Sequence, residues 1–239
     1  MPLPKIATPT YELELPSTRK PIHYRPFLVK EEKLLVLALE SEDTKEITTA
    51  IKNVIKACIK TRGIKVENLP TFDIEFLFLN IRGKSVGEDI EVNLICPDDK
   101  KTQVPVTISI DDVQIKRTEG HTNKIKLDSS LMMEMKYPSL AEFIKNNFDF
   151  DGGSQMDQSF EVIASCIDKI YNEEEVWATA DCTKKEISAF LESMNSAQFK
   201  EIEKFFETMP KLSHEIEITN PNTKVKSTIV LEGLSSFFT

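Results

Sequence analysis

The sequence predicts an α+β protein: an N-terminal β-hairpin, a helical bundle, two further β-hairpin units, and a helical hairpin just before the second of these. Three observations carry that prediction. Tyr11, Leu13 and Leu15 alternate with Glu12 and Glu14, the period-2 signature of a half-buried strand. Ile47, Ala50, Ile51, Val54, Ile55 and Cys58 recur at helical spacing, which places them on one face of a helix. Finally, the strand-like run from Glu91 through Pro97 to Ile110 is echoed by the run from Glu215 through Pro221 to Leu231, weakly but over comparable lengths.

Taken in order, Pro16, Ser17 and Thr18 supply turn chemistry, and Ile22 and Tyr24 continue the alternation on a return strand. A first helix is expected over 30–40. Leu34, Leu35, Leu37 and Ala38 make it apolar over most of its circumference, which predicts enclosure by other elements. Asp43 and Glu46 form a capping-box pattern for a second helix over 44–60, ended by Arg62-Gly63. A third, phenylalanine-rich helix is expected over 72–84, with Thr71 as N-cap and Gly87 beyond its end. Strands are expected over 89–96 and 104–110, and shorter ones over 113–116, 124–127 and 131–137.

Ser139 and Glu142 cap a short helix ending near Phe148. The acidic, glycine-paired segment 149–154 is the best internal boundary. It divides the chain into 1–150, with the first hairpin, three helices and a small sheet, and 151–239, with the helical hairpin and last β-hairpin, unless the two are continuous. Met156, Phe160, Ile163, Ile167 and Ile170 follow helical spacing, and a short strand is expected at 176–178. Thr183 with Glu186 opens one arm of the helical hairpin, and the pattern restarts after Asn195 and stops at Pro210.

Composition narrows the function. With a net charge of −9 and no run of three basic residues, the chain lacks the clustered Lys and Arg that a phosphate backbone demands, so no nucleic acid is expected as partner. No segment offers ~18 uncharged apolar residues, and 1–9 lacks the apolar run of a secretory signal, so no membrane is expected either. Cys58, Cys96, Cys166 and Cys182 lie far apart without a Cys-x-x-Cys pair, which predicts free thiols in a reducing compartment.

Catalytic and metal motifs are missing. His23, His121 and His214 stand away from other ligands at metal spacing and are expected at surface or sheet positions. Asp149-x-Asp151-Gly152 invites a calcium loop, but its twelfth position is Phe160 where a glutamate is required. There is no phosphate-binding glycine loop and no Gly-x-Ser-x-Gly. No catalytic residue, cofactor, metal or small-molecule substrate is therefore expected. The remaining feature is the run Leu234-Ser235-Ser236-Phe237-Phe238, read either as docking on the chain's own core or, through Leu234, Phe237 and Phe238, as an anchor into a partner.

The strings Tyr-Glu-Leu-Glu-Leu-Pro-Ser-Thr (11–18), Tyr-Arg-Pro-Phe-Leu-Val-Lys-Glu-Glu-Lys-Leu-Leu (24–35) and Phe-Leu-Asn-Ile-Arg-Gly-Lys-Ser-Val-Gly-Glu (78–88) carry a resemblance over nearly the whole length. The chain resembles the baseplate hub subunit, or hub assembly protein, family of T-even-type contractile-tailed bacteriophages. That resemblance implies a non-enzymatic structural or assembly protein binding other baseplate or tail hub proteins. It would be made in the host bacterial cytoplasm and either act there as a chaperone or remain in the virion. Related sequences are associated with Cys-x-x-Cys pairs at two hairpin turns, as in a zinc ribbon. Here Cys96 stands at the first turn and Asn220 and Asn222 at the second, an incomplete thiolate set. A degenerate zinc-ribbon-like adaptor, or a module contacting nucleic acid, is the alternative reading.

Overall fold

The computed structural model of the chain describes residues 6–148, 155–233 and 236. In chain order its elements begin with β1 (Tyr11–Glu14), β2 (Pro21–Tyr24), α1 (Val29–Glu40), α2 (Thr44–Cys58), α3 (Thr71–Val86), β3 (Asp89–Ile95), β4 (Gln103–Ser109) and β5 (Gln114–Lys116). There follow β6 (Lys124–Lys126), β7 (Met132–Met135), α4 (Leu140–Phe148), α5 (Gln155–Ser165), β8 (Ile167–Tyr171), β9 (Val176–Ala178), α6 (Lys184–Glu192), α7 (Ser196–Thr208), β10 (Lys211–Thr219) and β11 (Lys226–Glu232). Helices and small antiparallel sheets make an α+β fold. The expected boundary at 149–154 lies outside the described residues. Two compact units are formed, and both are discontinuous: the described residues of 6–66, 72–116 and 211–236 build the first, and those of 67–71 and 117–210 the second.

The first unit is held together by α3, whose Phe72, Ile74, Leu77, Phe78, Leu79 and Ile81 are all buried. A helix apolar on every side needs cover on every side. On one side Leu79 joins a cluster made by Ile90, Val92 and Leu94 of β3, Ile108 of β4, Leu212 and Ile218 of β10 and Leu231 of β11. β3 and β4 form one hairpin; β10 pairs with β11 on one edge and β5 on the other. Asp73, in the first turn of α3, is fully buried and accepts hydrogen bonds from the backbone N–H of Ser17, at 2.9 Å, and from its hydroxyl. That carboxylate ties the tip of the β1–β2 hairpin to α3.

The three hairpins of this unit close with one turn, and this extends the echo between the two later ones. Leu15-Pro16-Ser17-Thr18-Arg19, Cys96-Pro97-Asp98-Asp99-Lys100 and Asn220-Pro221-Asn222-Thr223-Lys224 share a proline second and a basic residue fifth. In each, the N–H of the fifth residue donates to the carbonyl of the first, at 2.8, 2.9 and 2.9 Å respectively. Arg19, Lys100 and Lys224 all take positive φ, at 55°, 55° and 64°. Proline presets the turn's entry, and the left-handed fifth residue reverses the chain.

The second unit contains a four-stranded antiparallel sheet in the order β6-β7-β8-β9. Ile125, Met133, Met135 and Ile167 from its strands pack with Ile163 of α5, Leu191 of α6 and Ile202 and Phe205 of α7. Thr183 caps α6 as expected, and Asn195 caps α7; in each the third residue of the helix accepts in return from the N–H of the cap. The helical periodicity from Met156 to Ile170 is cut short: α5 stops at Ser165, and Ile167 and Ile170 pair with Met135 and Met133 of β7. All four cysteines are free, with Cys182 half-buried and the others buried. Among the described residues no helix is long and apolar enough to cross a membrane.

A left-handed lysine costs ~1–2 kcal/mol, and glycine returns about half of that gain through greater freedom in the unfolded chain. Lys100→Gly should therefore stabilise the protein by roughly 0.5–1 kcal/mol, read as a rise in the urea midpoint at constant slope. Lys101→Gly, one residue on, should not.

Candidate functional site

The site begins with how α1 is fastened. Residues 23–28 are held on several sides: Arg25 N–H donates to the Cys58 carbonyl at 3.0 Å, Lys60 N–H to the His23 carbonyl at 2.8 Å, and Phe27 N–H to the Ser85 hydroxyl at 2.9 Å. Leu28 then stands at the N-cap with no side chain able to cap. Glu31 supplies the missing acceptor, taking the Leu28 N–H on Oε2 at 2.7 Å. The same carboxylate receives Arg25 through Nη2 at 3.0 Å and Nη1 at 3.4 Å. Both side chains are buried. Burial pushes the Glu31 carboxyl up, but the bonds from Arg25 and Leu28 outweigh it and its pKa lies below the ordinary value.

With Glu31 and Ala38 turned inward, the rest of α1 turns outward. The enclosure expected from its composition is not met among the described residues: Val29 is 79% exposed, Leu34, Leu37 and Leu39 are just over half exposed, and Val36 is close behind. Lys33 and Glu40 stand among them, also exposed. Covering a large aliphatic side chain contributes ~1.5–3 kcal/mol when complete, so covering these five half-exposed groups is worth several kcal/mol to a partner. An apolar patch on a fixed, charged-rimmed helix is the signature of a protein-docking surface.

The turns following β3 and β10 face each other. Asn220, 1% exposed, donates through Nδ2 to both carboxylate oxygens of Asp98 at 3.0 and 3.1 Å and to Asp99 Oδ2 at 3.1 Å. Thr223 donates its hydroxyl to Asp98, and Asn222 Nδ2 donates to Thr102 Oγ1 at 3.0 Å. The bonds from Thr223 and Asn220 hold the Asp98 carboxyl below its usual range, and those from Thr102, Lys101 and Asn220 hold Asp99 lower still. Burial, with Asp98 and Asp99 nearby, pushes the Cys96 thiol up, the reverse of what a metal thiolate needs. The residues do not fit a zinc-ribbon metal: amide and hydroxyl donors satisfy the carboxylates, and among the described residues no group of three His, Cys, Asp or Glu could hold an ion.

Among the described residues of the second unit no group of three His, Cys, Asp or Glu could hold a metal ion. An open apolar depression of about 400 Å³ is lined by Leu131, Ile170, Trp177, Cys182, Ile187 and Phe190. Its polar rim is occupied: Glu186 accepts from Thr183, and the Thr179 hydroxyl donates to Ile167 and Asp168 carbonyls. His121 is not a surface histidine. It bonds Thr208 Oγ1 at 2.9 Å and the Tyr137 hydroxyl at 3.0 Å, and packs 5.4 Å from the Phe205 ring. Burial, then Arg117, lowers its pKa, and its ring lies between Tyr137 and the Phe205 and Thr208 side chains of α7. His23 lies at an exposed strand position, and His214 bonds the Asp112 carbonyl.

Leu234, Phe237 and Phe238, the residues singled out from sequence, lie outside the described residues. The α1 face was missed as a site although its signal was present: an all-round apolar helix carrying Lys33 and Glu40 has nowhere to hide them in a core.

Three outcomes test this geometry. Glu31→Ala leaves Arg25 buried and unpaired and should cost roughly 3 kcal/mol, the lower end for a buried pair, while Arg25→Met with Glu31→Leu should recover most of it. The Glu31 contribution is complete above the unfolded carboxylate value of about 4.3 and is lost as pH falls through its lowered folded value. The wild-type chain should therefore lose more stability on acidification than Glu31→Gln, in urea titrations at successive pH values. Asn220→Asp sets a third carboxylate against Asp98 and Asp99 and should destabilise more than Asn220→Ala, itself costing about 1–3 kcal/mol.

No curated protein and no solved structure matches the chain significantly. A family model described as T4 bacteriophage base plate protein matches residues 8–239, a span that takes in both compact units, the docking face of α1 and the paired turns. The chain belongs to the family of T4 bacteriophage base plate proteins.

Proposed function

We propose that the protein is a structural or assembly subunit of the baseplate hub, acting through protein–protein contacts with other tail proteins and making or breaking no covalent bond. The observation that carries the reading is α1: a helix fixed at its N-terminus by a buried ion pair that presents Leu34, Val36, Leu37 and Leu39 to solvent. Membership of a base plate family supports it, since such proteins are parts of an assembly. The acidic character of the chain supports partners other than nucleic acid. In this reading the chain is made in the bacterial cytoplasm and works during construction of the tail, with Leu234, Phe237 and Phe238 as a second contact.

The test is capture from infected cells on tagged chains, with retained tail proteins identified by mass. Wild type should retain other baseplate proteins. Val36→Asp with Leu37→Asp, both at exposed positions, should fold as wild type by circular dichroism and lose at least one of them. A chain truncated before Leu234 should lose a partner if the terminal aromatics anchor one. Should wild type retain no tail protein at all, the reading fails.

A further inference from the structure

We infer that the exposed face of α1 pairs with α1 of a second copy of this chain, antiparallel about a two-fold axis. The inference rests on reading α1 as a docking face and names its occupant. Val29, Lys33, Val36, Leu37 and Glu40 share one side of the helix, following the 3.6-residue period, and Leu34 and Leu39 flank it.

Their order along the helix is self-complementary. Around the midpoint of the Val36–Leu37 step, Val36 and Leu37 stand at equal distances, as do Leu34 and Leu39, and as do Lys33 and Glu40. When two copies cross antiparallel at that midpoint, Val36 and Leu37 of each pack around the axis against Val36 and Leu37 of the other. Each Lys33 then meets the other copy's Glu40. An interface with two-fold symmetry requires this reciprocity, residue i against j and j against i.

The charges favour a second copy over an unrelated protein. Within one chain Lys33 and Glu40 are two turns apart, about 10.5 Å along the axis, too far to bond each other. Neither forms an ion pair among the described residues, whereas neighbouring Lys30 pairs with Glu31 at 3.4 Å. A two-fold mate satisfies both, twice. α1 has 12 residues and so is about 18 Å long. Alone it covers less than the ~800 Å² per partner of a stable interface, so the dimer forms reversibly as concentration rises.

Sedimentation equilibrium of the full chain over a concentration series reads this directly. The weight-average mass should rise from 27.2 kDa towards twice that value. Lys33→Glu and Glu40→Lys should each weaken association about five- to tenfold, because like charges then face each other at both ends. The double variant should regain wild-type association, since exchanging the two charges restores an opposite-charge pair at each end of the crossing. All four positions tested here and above are exposed, and circular dichroism checks that the variants stay folded. A wild-type mass that stays monomeric at every concentration overturns the inference, as does a double variant no better than the singles. If the chain is monomeric while Val36→Asp with Leu37→Asp still loses tail proteins in capture, this inference falls and the proposed function stands. If the chain dimerises but wild type captures no tail protein, the reverse holds.

Discussion

The Glu31 carboxylate is where the first unit's organisation and its outward face meet. It caps α1 in place of a leucine that cannot, and it neutralises Arg25, the buried arginine that follows β2. Two demands on one group settle the roll of α1 about its own axis. With Glu31 and Ala38 directed inward, geometry sends Val29, Val36 and Leu37 outward whatever their hydrophobicity would prefer. Replacing the ion pair by apolar residues could keep the unit stable, but it would remove the element that decides which side of the helix faces solvent. A buried pair here gives orientation more than it gives stability.

The same economy governs the paired turns. A zinc ribbon joins two hairpin tips through a cation and four ligands, and the charge balance comes from thiolates around a dication. In this chain the two tips meet through Asn220 and Thr223 donating to Asp98 and Asp99. The negative groups remain, and hydrogen-bond donors replace the cation. Cys96 is a buried, reluctant thiol beside them, and the proline and the left-handed lysine of each turn shape the tips so that side chains from the two meet.

Much of this was legible in the chain. Hairpin strands, caps at Asp43 and Thr183, and the α+β class follow from local patterns that fold by local rules, and the structure bears them out. What failed was decided by partners distant in sequence. Ile167 and Ile170 fit a helical stripe as well as a strand, and β7 settled the matter by offering Met135 and Met133 as neighbours. His121 reads as a loop residue because Tyr137, Thr208 and Phe205 lie far along the chain. The units interleave because β10 pairs with β5, which no local signal announces. The α1 face inverted the usual inference: all-round apolarity ordinarily means enclosure, and here no described residue encloses Val29, Val36 or Leu37.

That inversion bears on how a base plate protein with an exposed aliphatic helix stays usable. An exposed aliphatic helix invites indiscriminate association, and a net charge of −9 opposes it by repulsion between like molecules. Repulsion of that kind acts over a Debye length of roughly 8–10 Å and carries no information about orientation. Lys33 and Glu40 supply what it lacks, since they reward one approach of a second helix and penalise others at contact distance. A diffuse charge therefore keeps wrong encounters brief, while two fixed charges beside Val36 and Leu37 select the right one. The apolar residues supply the affinity, and the charges around them decide for whom it is available.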